Sequence, residues 1–113
     1  MGLDIRISRA KPIYCPHCGE LVTYRAVDTV NDGGSSWYEF LESIGYYKPY
    51  VKGQPYSRSM YGKDLELSDE QLIKLEKFVT ESDFCTSYSM IKTLNLIESA
   101  RIDGDKIVIN ADW

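Results

Sequence analysis

The chain has 113 residues, 43% of them hydrophobic and 27% charged, values that suit one soluble domain and exclude wholesale disorder. Its net charge of −4 argues against indiscriminate binding to nucleic acid or anionic lipid. No apolar run approaches the roughly 20 residues that span a bilayer, and the first residues lack the apolar core of a signal peptide. Three cysteines, two of them in one C-x-x-C, are unlike a disulfide framework, so a reducing cytoplasm is expected.

In chain order, residues 3–7 alternate apolar and polar side chains and predict a half-buried strand that Pro12 ends. Cys15-Pro16-His17-Cys18-Gly19 predicts a tight loop, and 21–30, rich in Val, Thr and Tyr, a second strand. Asn31-Asp32-Gly33-Gly34 breaks it. Ser36 and Glu39 have capping-box spacing, and Trp37, Phe40, Leu41 and Ile44 form one apolar helical face that Gly45 stops. Residues 46–63 hold Pro49, Gly53, Pro55 and Gly62 without a steady period and read as a long ordered loop. A second helix starts at the Ser68/Gln71 box and buries Leu72, Leu75, Phe78 and Val79. A third runs from Phe84 or Ser87 to Ser99 with Met90, Ile91, Leu94 and Ile97 inward. Asp103-Gly104-Asp105 predicts a turn, and 106–111 a last strand. This order predicts a single α+β domain over 1–113: a small antiparallel sheet, about three helices on one face, and a zinc knuckle.

The knuckle rests on Cys15 and Cys18, whose spacing lets two thiolates reach one tetrahedral ion while Gly19 permits the turn. Cys85, the remaining thiol, is the expected third ligand. His17 completes the candidate set, with Asp83 an option for the fourth position. A structural zinc is therefore expected. The competing redox reading is subordinate, because a strand pattern follows the motif where a thioredoxin-like site has a helix. There is no H-E-x-x-H, P-loop or G-x-S-x-G, so no enzyme is expected.

Tyr50, Tyr56, Arg58 and Tyr61 sit among Pro, Gly and Lys in a loop with a local balance of +4, the composition of an interface. The following 64–83 carries −5 and includes Glu66, Asp69 and Glu70, a solvated helix face or an imitation of a phosphate row. These seven residues are the candidate partner-binding set. A nucleic-acid-binding role for the 46–63 loop is the alternative, though direct nucleic-acid and membrane binding are not expected.

The Met-Gly-Leu-Asp-Ile start, Cys15-Pro-His-Cys-Gly19, the segment from Gly34 to Tyr47, Tyr61-Gly-Lys-Asp64 and the Ile107-Val-Ile-Asn-Ala-Asp-Trp113 ending resemble a family of small phage and prophage proteins. Within that group the chain looks like zinc-containing anti-CRISPR proteins that inhibit type II-A Cas9. The resemblance implies stoichiometric binding to the Cas9 ribonucleoprotein, a block to target DNA loading, and residence in the cytoplasm of an infected or lysogenic bacterial host.

Overall fold

The computed structural model describes residues 3–49, 51–55, 60–81 and 87–113, without the Ser87 side chain. Among the described residues, four strands and three helices follow one another as β1 (Asp4–Tyr14), β2 (Leu21–Gly33), α1 (Trp37–Ser43), β3 (Leu65–Glu66), α2 (Asp69–Glu81), α3 (Ser87–Asp103) and β4 (Lys106–Asp112). The sheet is antiparallel with strand order β2-β1-β4-β3, so β1 and β4 are central and β2 is an edge. The expected α+β class holds, and the two-residue strand β3, too short to show a period, is the addition.

Period-two patterning places Ile5 and Ile7 of β1, Val30 of β2 and Ile109 of β4 on one face, all buried. Against them pack Leu96, Ile97 and Ala100 of α3, Leu75 and Val79 of α2, and Trp37, Phe40 and Leu41 of α1, in one core. Burying such side chains contributes roughly 1.5–3 kcal/mol each. Phe78 joins Trp37 and Phe40 by ring contacts at 4.9 and 5.6 Å, tying α2 to α1. Gly33 lies where the chain leaves β2, and a Cβ there would stand 2.9 Å from the Leu3 carbonyl oxygen, so only glycine fits without a shift.

Four local expectations need correction. Pro12 does not end β1, which continues to Tyr14. Beyond Ala10, β1 pairs only with β2, and a proline is tolerated where one side of a strand is unpaired. Ser36 makes no side-chain cap bond, so the first capping box does not form, whereas Gln71 N donates to Ser68 Oγ and Ser68 N to Gln71 Oε1 as foreseen. Ile91 is 54% exposed, because the buried face of α3 runs through Thr93, Leu96, Ile97 and Ala100. That helix also continues past Ser99 to Asp103, where Arg9 pairs with Asp103 and Asp105 and Lys11 with Asp105.

The β1–β2 ladder outruns the sheet. The last β1–β4 pair is Ala10 with Lys106, while β1 and β2 stay paired to Tyr14 and Leu21, roughly 13 Å further at the usual strand rise. The Cα radius of gyration is 14.8 Å, against roughly 13 Å for a compact chain of this length. A register shift between Arg9 and Ala10 leaves Val27 as an extra residue of β2, and a bulge of this kind bends a hairpin. The arm accordingly leans over the outer face of the sheet. Tyr24 of β2 donates to Glu66 of β3, the opposite edge, at 2.6 Å, and Ala10 and Val108 on that face are buried outside the main core.

Candidate functional site: the tip of the hairpin arm

The arm ends in a six-residue loop with defined geometry. Cys15 N donates to Glu20 O at 2.8 Å, which continues the ladder by one bond across its mouth. Gly19 N donates to Cys15 O at 2.9 Å, closing a single helical turn, and Gly19 takes φ +76°, which favours glycine. Residues 15 and 18 are then i and i+3 of one turn, the spacing that puts side chains on the same side. The Cys15 thiol is pushed below its ordinary value by the backbone N–H of Cys18 first, then by that of His17 and by the Cys18 thiol. Cys15 is half-buried, and His17 and Cys18 are exposed; neither cysteine is in a disulfide.

Around this loop the arm presents apolar side chains to solvent. Tyr14 and Leu21 are paired across the last rung and are 55% and 44% exposed. Ile13 precedes them, and Val22, the extra residue of the second register shift, is 65% exposed. Val27, the extra residue at the base, is exposed as well. None of these residues belongs to the core. Sequence reading missed the cluster because the two bulges hide the alternation of β2, and 21–30 scans as an ordinary half-buried strand.

The tip does not assemble a metal centre from the described residues. Among the described residues no group of three or more His, Cys, Asp or Glu side chains stands where it could hold an ion. The β1–β2 ladder carries Cys15 and Cys18 past the last rung of β4, and two thiols alone do not complete a tetrahedral site. The expected structural zinc and its knuckle are therefore corrected to a free dithiol loop. Cys85 and the optional Asp83 lie outside the described residues.

Of the candidate partner-binding residues, Tyr50, Tyr56 and Arg58 also lie outside the described residues. Tyr61 packs edge-on against Trp113 with ring centroids 5.0 Å apart, as Tyr47 does at 5.2 Å. Glu66 is engaged within the chain by Tyr24 and by Lys106, and its contact, after burial, pushes the Tyr24 phenol up to about 12. Asp69 and Glu70 are exposed in the first turn of α2, where carboxylates complement the helix dipole.

No family model, no curated protein and no solved structure matches the chain. With neither a matching relative nor a metal cluster among the described residues, the resemblance to zinc-containing Cas9 inhibitors is not upheld. The inhibitor reading and its zinc-knuckle nucleic-acid alternative fall with it. No helix among the described residues is long and apolar enough to cross a membrane.

Proposed function

We propose that the chain is a protein-binding module that docks the apolar tip of its β1–β2 arm into a cleft of a partner protein, acting by binding and not by catalysis. The observation that carries this reading is the concentration of Ile13, Tyr14, Leu21 and Val22, all exposed, at the end of an arm outside the core. Apolar side chains that a fold does not use, gathered on one protrusion, mark interaction sites. A paired ladder holds them in place, so little ordering entropy opposes docking. A tyrosine that enters a desolvated pocket, such as Tyr14, is of the kind that dominates the energy of such contacts, with the aliphatic neighbours excluding water around it. Only Lys11 and Arg25 supply positive charge on the arm beyond Ala10, which favours an apolar cleft over a phosphate backbone as the counterpart.

A photo-crosslinking amino acid at position 22 tests the reading in cells, with the same group at position 102 as a control. Ile102 is also exposed, at 77%, but lies at the end of α3. The expected result is a discrete protein adduct from position 22 that Tyr14→Ala and Leu21→Ala abolish while unfolding midpoints stay unchanged. A discrete adduct from 102 with only background from 22 would move the interface off the arm.

A further inference from the structure

Cys15 and Cys18 are the chemically reactive groups on the arm, and nothing in the core depends on them. The turn closed by Gly19 N and Cys15 O sets the two side chains on one side, near enough for the Cys18 thiol to hydrogen-bond Cys15. Two backbone N–H groups also face the Cys15 sulfur. Access is open, since Cys18 is exposed and Cys15 half-exposed. The helix N-terminus that activates a thioredoxin-like cysteine is missing, but amides of a tight turn supply the same kind of partial positive charge.

We propose that Cys15 and Cys18 form a reversible disulfide across the loop by exchange with low-molecular-weight disulfides, with Cys15 as the attacking thiol and Cys18 as the resolving one. The Cys15 thiolate attacks one sulfur of the disulfide, an S–S bond breaks, and one small thiolate leaves with the bonding pair. Cys18 then gives up its proton to solvent and attacks the Cys15 sulfur of the mixed disulfide, expelling the second small thiolate. The two departing thiolates take up the two protons of the dithiol. The protein loses two electrons and the small disulfide gains them. The spacing of the pair favours this second step over a persistent adduct, because the resolving thiol is held beside the bond it attacks. The exchange is stoichiometric and needs no docked partner.

Equilibration of the intact protein with glutathione and glutathione disulfide, followed by mass spectrometry and peptide mapping, tests this. The expected product has lost two hydrogens, maps to a Cys15–Cys18 link, and has the circular dichroism of the reduced protein. Cys18→Ser should accumulate the glutathione adduct on Cys15, several-fold faster than Cys15→Ser accumulates it on Cys18. Equal rates for the two variants would overturn the assignment of roles. A wild-type protein that stops at a stable mixed disulfide, or that links either residue to Cys85, would overturn the loop disulfide itself.

Discussion

Tyr46, a residue 2% exposed, centres a cluster of hydrogen bonds on its hydroxyl: the one O–H proton is shared between Lys63 O and Ala111 O, and Oη accepts from Ala111 N. It thereby pins the start and the end of the long 46–63 segment to β4. Tyr46→Phe leaves the Ala111 N–H without that acceptor, which should lower unfolding free energy by roughly 1–3 kcal/mol in urea titration. Burial raises the Tyr46 phenol above the ordinary 10.0, and Tyr24 is raised to about 12, so both stay protonated in the fold when the unfolded chain has begun to ionise. The folded state then binds more protons than the unfolded one, and stability falls with rising pH. The contribution is fully present below pH 10 and is lost as pH climbs through the folded values. Unfolding midpoints measured from pH 9 upward should drop more steeply in the wild type than in a Tyr24→Phe, Tyr46→Phe double variant; equal slopes would remove these two tyrosines as the cause.

Helices were more legible than strands, and the reasons differ from element to element. The Ser68/Gln71 box and the burial of Leu72, Leu75 and Val79 follow from short-range bonding and a 3.6-residue period, which a sequence displays directly. Ser36 and Glu39 have the same spacing, yet Ser36 takes helical backbone angles of −61° and −28°. A cap residue needs non-helical angles for its oxygen to turn back onto the helix, so the box cannot close. Ser68→Ala should therefore cost about 1 kcal/mol, whereas Ser36→Ala should fall within a few tenths, a contrast that paired chemical denaturation measures. In α3, Tyr88, Ile91 and Ile102 face solvent, so apolar residues surround the helix and periodicity alone misassigned Ile91. The short β3 depends on a tertiary partner, since only its pairing of Leu65 with Ile109 and Glu66 with Val108 defines it.

At the scale of the whole molecule, the sequence separates into a body and an arm only once the ladder is seen. The residues 3–7 and 21–30 scanned as two short strands because Pro12 reads as a stop and C-x-x-C as the start of a metal site. Pairing of Pro12 with Tyr24 and Ile13 with Thr23 instead carries the hairpin past the last rung of β4. The dithiol is visible in the sequence as chemistry, while its lack of a third ligand among the described residues is a property of topology. The core contains Leu3, Ile5 and Ile7 of the N-terminal segment and Val30 of β2, but nothing from 11 to 24. Replacing residues 14–22 by Asn-Gly would join the paired Ile13 and Thr23 through a two-residue turn suited to the twist of a hairpin. The bond from Tyr24 to Glu66 lies outside the replaced residues and should survive. Because this deletion removes no core side chain, the melting temperature should shift by no more than the roughly 4–8 °C that corresponds to 1 kcal/mol in a domain of about this size. Amide protection at Ile7 and Ile109 should persist in hydrogen exchange, while a photo-crosslinker at position 27 should lose the partner adduct that the full arm gives. Loss of cooperative unfolding in the shortened chain would instead make the arm part of the folding unit and leave its apolar tip without a separate purpose.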